Sequence, residues 1–214
     1  MPLTQAHFDR LLAEAKDELH SGAKGASEYL SRLHDDDDWS FVIKAQALVE
    51  AALTDAILAK IDQAAMKTVV ERLPLADEQI GKLAIAKELG IMPVEQRRFV
   101  RRLAELRNRL AHRTEYIDFK LSEYVSGLAA PQLKEWQLAT TWFSLGRDGA
   151  DDWAKHAIDM PRMTLFVAVQ MLVVLLHIGA VEAQIPGRIN AAALETAEEL
   201  FAQFGSRMSD RADP

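Results

Sequence analysis

The sequence predicts an all-α fold, and three observations carry that expectation. Alanine, leucine, glutamate, lysine and arginine dominate the 214 residues, and all five are strong helix formers. No segment sustains the alternation of apolar and polar residues that marks a half-buried strand. Prolines 74, 93, 131, 161 and 186 fall between periodic stretches, where they start or stop helices. Hydrophobic residues make up 49% and charged ones 27%, a globular composition that excludes a disordered chain.

The first helix is expected from about Thr4, an N-cap candidate, to Leu19, with Phe8, Leu11, Leu12, Ala15 and Leu19 on its apolar side. A short helix around Ser27–Leu33 precedes the acidic run Asp35–Asp38. That run lacks the alternating ligands and closing glutamate of a calcium loop, and reads as a solvated, N-capping linker. Phe41 to Ile61 is apolar over most of its surface, as a central bundle helix should be. Glu50 within it can face the arginine-rich helix across the bundle, or make a structural hydrogen bond or salt bridge. A helix from about Asp77 to Leu89 ends at Gly90, a suitable C-cap. Pro93 sits near the first turn of an arginine-rich helix that ends around His112. Weaker helices follow at about Lys120–Tyr124 and Pro131–Leu145, and Gly146–Asp152 reads as a loop.

Met163–Val181 is the most hydrophobic stretch. It contains Thr164, Gln170, His177 and Gly179 and is flanked by Arg162 and Glu182, so it reads as a buried bundle or dimer helix rather than a membrane span. His177 is expected as a satisfied core or interface residue. The final helix, about Ala191–Phe204, is amphipathic. No repeat or linker composition divides the chain, so residues 1–206 are expected to form a single helical domain and 207–214 a flexible tail.

Twenty-five basic and 32 acidic side chains give a net charge of −7, which argues against bulk electrostatic binding to nucleic acid. The charge is uneven. Seven arginines (97, 98, 101, 102, 107, 109 and 113) against two glutamates (95 and 105) make the segment from Glu95 to Arg113 +5, leaving −12 for the remainder. Cysteine is absent, which excludes disulfides, a thiolate nucleophile and cysteine zinc sites. Met1 to Asp17 has no basic region followed by an apolar run, so no secretory signal is expected and the cytoplasm is the default. His7, His20, His34, His156 and His177 show no metal-ligand spacing, and there is no glycine-rich phosphate loop or nucleophile elbow. Trp39, Trp136, Trp142 and Trp153 are expected mostly at helix packing surfaces.

On a wheel advancing about 100° per residue, Leu103, Leu106 and Leu110 fall within about 40° of Phe99 and form the core stripe of the arginine-rich helix. Arg97, Arg101, Asn108 and His112, with Glu105 among them, lie opposite, between about 160° and 240°. Arg107 sits at about 80°, on the flank. Asn108 and His112 are an i,i+4 pair that can touch one small group. The Arg101–Glu105–Arg109 spacing also suits i,i+4 ion pairs on a solvated face.

Arg107-Asn108-Arg109-Leu110-Ala111-His112 resembles the signature of the HEPN superfamily, all-helical domains common in prokaryotic toxins and defence proteins. Phe41–Leu58, Ile80–Met92 and Leu103–His112 resemble the mannitol repressor family in order and spacing, over residues 41–113. The resemblance implies a HEPN-like helical bundle that dimerises through the motif helix. It implies a metal-independent endoribonuclease, a toxin or defence component, with a composite site at the dimer cleft. There Arg107 would contact the scissile phosphate, His112 would move a proton, and Asn108 would orient His112 or hydrogen-bond the phosphate. Arg101 and Arg109 are candidates to hold flanking phosphates of the RNA. The alternative is a non-catalytic, mannitol-repressor-like transcriptional or protein-interaction regulator, and a third reading is a dimeric scaffold. No helix-turn-helix is recognisable, so no groove-reading helix for DNA is assigned. The expected partners are a second copy, RNA, and an antitoxin or regulatory protein. No cofactor, metal or membrane is expected.

Overall fold

The computed structural model describes residues 5–33, 35–77, 79–111 and 116–209. Thr4, His112 and residues 210–214 of the expected tail lie outside the described residues. The protein is all-helical, with nine α-helices and no strand among the described residues.

The helix α2 (Asp38–Ile61) is the axis of the core. Phe41, Val42, Ala45, Val49, Leu53 and Ile57 are buried on it, and it packs against both α5 (Val94–Ala111) and α9 (Pro161–Ser209). The acidic run before it is more than a linker. Asp37 caps α2, its carboxylate accepting from Ser40 N at 2.8 Å and Ser40 Oγ at 2.7 Å. Asp38 accepts from Arg162 Nη1 at 2.5 Å and from Leu121 N at 2.8 Å, tying α2 to α9 and to α6 (Leu121–Ser126). Arg162 also donates to the carbonyls of Leu33 and Asp36, at 3.0 and 2.6 Å.

The bonds from Ser40 N and then Ser40 Oγ hold the Asp37 carboxyl below its ordinary value of 3.8. A depressed folded value means that the cap's contribution is present above the unfolded value and is lost as pH falls through the folded one. Asp37→Ala is therefore expected to cost about 1 kcal/mol at neutral pH and less once the carboxyl is protonated in both the folded and the unfolded state, where only a neutral cap is lost. Paired thermal melts across the acid range check that the difference narrows.

The helix α1 (Gln5–Leu33) runs unbroken for 29 residues, joining the two helices expected there. It lies antiparallel along α9, its contacts stepping from Arg10–Glu195 at 2.8 Å, through Glu18–Arg188, to the Leu33–Arg162 bond. His177 Nε2 is 3.1 Å from the Glu18 carbonyl oxygen. Its ring occupies the space beside Gly22, where an added Cβ would fall 1.9 Å from Nε2. Only glycine admits so close an approach.

The 49 residues of α9 correct the expectation of two helices parted at Pro186. Proline there lacks the N–H that would bond the Glu182 carbonyl. Side-chain ties to α1 on both sides of it, at His177, Arg188 and Glu195, hold the helix in line. By length and composition α9 could cross a membrane. However, Leu165, Ala168, Val169, Leu172, Val173 and Leu176 are buried in the bundle.

The helix expected from Asp77 is shorter and starts later, as α4 (Lys82–Glu88). Asp77 accepts from Gln79 N and Ile80 N at 2.8 and 2.9 Å, a side-chain turn that competes with helix. Carbonyls of Pro74 and Leu75 take the first N–H groups of α4. Two helices not foreseen are α3 (Lys67–Arg72) and α8 (Ala150–Asp159), the latter overlapping the expected loop. The helix expected from Pro131 to Leu145 is α7 (Ala130–Thr140) followed by a 3₁₀ turn at Trp142–Ser144.

Candidate nucleic-acid interface

The arginine-rich helix α5 starts after a reversal at Gly90 (φ +66°) and Pro93, whose carbonyl takes Arg97 N at 3.2 Å. Phe99, Leu103, Leu106 and Leu110 are at most 2% exposed, the stripe read from the wheel. Val100 and Ala104 are buried as well, because α5 packs against α2 on one flank and α7 on another. Its last turn is anchored by Trp39, whose Nε1 donates to the Leu110 carbonyl at 3.3 Å.

Three of the arginines make contacts that tie α5 to its surroundings, and two line a pair of grooves. Arg97 donates to the Met92 carbonyl, closing the turn before α5. Arg102 bridges Glu105 at 3.2 Å and Glu135 at 2.8 Å, tying α5 to α7. Arg109 lies over the Tyr124 ring at 5.4 Å, a cation–π contact that fixes α6 against α5. Arg98 and Arg101 are exposed and line two grooves at once. The groove toward α4, of about 330 Å³, includes Leu83, Ala84, Lys87 and Arg97. The groove toward α7, of about 410 Å³, includes Arg102, Glu105, Glu135 and Leu138. Both are open to solvent and share the guanidinium pair. The groove toward α4, which has three arginines and Lys87 and no carboxylate, suits a polyanion better than the groove toward α7 with its two glutamates.

Arg107 stands apart from that row. It is half-buried, and its Nη1 donates to Asn108 Oδ1 at 3.2 Å. Its Nε is buried with no hydrogen-bond partner among the described residues. An unpaired charged donor of this kind is costly unless an acceptor arrives. The structure thus joins Arg107 to Asn108 and puts Arg101 on the grooves. It directs Arg109 to Tyr124, and neither Arg107 nor Asn108 lines the two grooves. Arg98 and Lys87 are groove residues that the motif did not single out. The charge count flagged Arg98, but Lys87 has no local signal, since its helix meets α5 only in the fold.

Glu50 faces neither groove. Its Oε1 lies 2.6 Å from Lys82 Nζ and its Oε2 accepts from Gln46 Nε2 at 2.8 Å, the structural salt bridge anticipated as one of its two roles. Trp136 is buried, with Nε1 donating to the Ala157 carbonyl at 2.8 Å. Trp142 is buried and Trp39 and Trp153 are half-buried, which takes all four from the surface where a base could stack freely. Compared with known proteins, the chain matches no family model, no curated protein and no solved structure.

Proposed function

We propose that the protein is a metal-independent endoribonuclease of HEPN type, acting as a toxin or defence component, with Arg107, Asn108 and His112 of two copies facing one cleft. The observation that carries this reading is the buried Arg107 Nε, which has no hydrogen-bond partner among the described residues, with Asn108 beside it on the same helix that bears the two arginine-lined grooves. A phosphodiester oxygen supplies the missing acceptor. Arg98 and Arg101 hold flanking phosphates, and Arg107 neutralises charge as it develops on the phosphorus oxygens.

In the step itself the ribose 2′ oxygen loses its proton to a base and bonds to phosphorus. The bond from phosphorus to the 5′ oxygen breaks, and that oxygen leaves with a proton. His112 is the proton carrier, because an imidazole can both accept and release a proton near neutral pH. The products are a 2′,3′-cyclic phosphate, or the 3′-phosphate it hydrolyses to, and a 5′-hydroxyl.

Purified protein incubated with labelled RNA and a chelator is expected to release fragments with those ends. Cleavage lost in chelator and restored by magnesium would overturn the mechanism. RNA bound but never cut would favour the mannitol-repressor-like regulator instead.

A further inference from the structure

We propose that the protein associates with a second copy of itself through an antiparallel pairing of the α9 helices, on a face separate from the arginine grooves. One face of α9 meets α2 and another meets α1, and a third is left open. Met171, Leu175, Ile178, Ile185 and Ile189 project from it with 37 to 41% of their surface exposed. With Glu182 they step 4, 3, 4, 3, 4 along the chain. That is the heptad seam of paired helices, carrying a single polar position.

The spacing is a palindrome about residue 180. A two-fold axis at that level sets Met171 against Ile189 of the other copy, Leu175 against Ile185, and Ile178 against Glu182. A stripe whose spacing is the same in both directions can meet its own copy in register, the requirement of an isologous contact, with Glu182 against Ile178 as its one mismatched position. The stripe also has a seat. Leu175, Ile178 and Glu182 form one wall of a groove of about 570 Å³ whose other wall is Leu89, Ile91 and Pro93. A helix about 10 Å across laid along the stripe, about 27 Å from Met171 to Ile189 and seated in the groove over Leu175 to Pro186, covers about 400 Å². With the second wall this reaches the low end of specific interfaces, on the order of 600 Å² per partner.

A lipid surface fits less well. Helices that lie on membranes line their polar face with lysine and arginine. From Pro161 to Glu198, α9 has Arg162 and Arg188, each engaged by a carboxylate, against glutamates 182, 195 and 198. None of the groove's lining residues belongs to the two arginine grooves. The pairing therefore uses residues distinct from those of the arginine grooves and does not depend on the nuclease reading. A composite site between two α5 helices is a second two-fold contact, and a protein using both assembles beyond a dimer.

Sedimentation of the full chain across the micromolar range is expected to show self-association, and Ile178→Glu to halve the assembly mass without a large change in melting temperature. Glu182→Leu is expected to tighten association by at least about tenfold, each copy exchanging a charge for an apolar side chain. The chain has no cysteine, so disulfide trapping has no background. A mixture of Leu175→Cys and Ile185→Cys proteins is expected to cross-link on oxidation. Leu175→Cys alone is not, because the paired copies hold those two positions about 15 Å apart along the axis. A wild type that stays monomeric, an Ile178→Glu assembly of unchanged mass, or a self-linked Leu175→Cys protein overturns the proposal. So does a monomer that sediments with phosphatidylcholine or phosphatidylglycerol vesicles.

Discussion

Glu50→Ala is expected to lower stability by about 2–4 kcal/mol, since removing one partner of a buried ion pair strands the other charge. The Lys82 side chain is 3% exposed, and its Nζ has the Glu50 carboxylate at 2.6 Å and the Glu71 carbonyl at a marginal 3.4 Å. Without Glu50 the ammonium keeps only the weak second bond, and Gln46 loses the oxygen it donates to. The figure sits below that of a fully buried pair because the Glu50 side chain is itself 33% exposed, so water screens part of the interaction. Lys82→Met removes the charge that needs a partner and leaves a carboxylate that water can reach, so it is expected to cost about 1 kcal/mol, the net worth of a hydrogen bond. The double variant Glu50→Leu/Lys82→Met replaces both charges by apolar groups and is expected to fall close to wild type. Urea unfolding with an unchanged slope measures all three. Equal losses in Glu50→Ala and Lys82→Met would mean that the ammonium is hydrated and the burial argument fails.

The same pair shows what could be read from the chain and what could not. Glu50 is conspicuous as a carboxylate in an apolar helix, which limits its roles to a few. Its partner stands 32 residues away on a helix whose start is set by the Asp77 side-chain turn. No local pattern contains that information. The core stripe of α5 is the opposite case, because a 3.6-residue period is a property of consecutive residues. Phe99, Leu103, Leu106 and Leu110 were therefore legible, and Val100 and Ala104 became core only because α5 meets two neighbours.

For the candidate site the limit is similar. The cluster of arginines was visible as charge, but its division was not. Arg97, Arg102 and Arg109 are engaged by the Met92 carbonyl, by Glu135 on α7 and by the Tyr124 ring on α6. The contacts of Arg102 and Arg109 depend on tertiary approach. Pro186 misled in the same way: a residue that usually ends a helix lies inside one that α1 supports along its length. Where many contacts converge on one segment, local propensity is a weak guide.

On the proposed nuclease reading, His112→Ala is expected to reduce RNA cleavage by a factor on the order of 100 to 10,000, the usual cost of losing one acid–base group. The spacing of the sequence sets His112 opposite the Phe99–Leu110 stripe, so the substitution is expected to change stability by less than about 0.5 kcal/mol, as one outside the core does. Arg107→Ala is expected to match it in activity and also to weaken RNA binding, because it removes the donor at Nε along with the charge. Arg98→Ala and Arg101→Ala are expected to act differently. Each loses a backbone phosphate contact, so binding weakens across all sequences and the slope of log affinity against log salt falls by about 1, while cleavage of bound RNA is retained. Leu106→Ala separates chemistry from folding. The side chain is 2% exposed, so its removal is expected to cost about 2–5 kcal/mol through a cavity and to lower activity only in proportion to unfolded protein. Thermal melts, salt-dependent RNA binding and single-turnover cleavage on the five variants decide among these roles. A large drop in melting temperature for His112→Ala would make the histidine structural. Normal melting with undiminished cleavage would place any nuclease chemistry elsewhere on the chain.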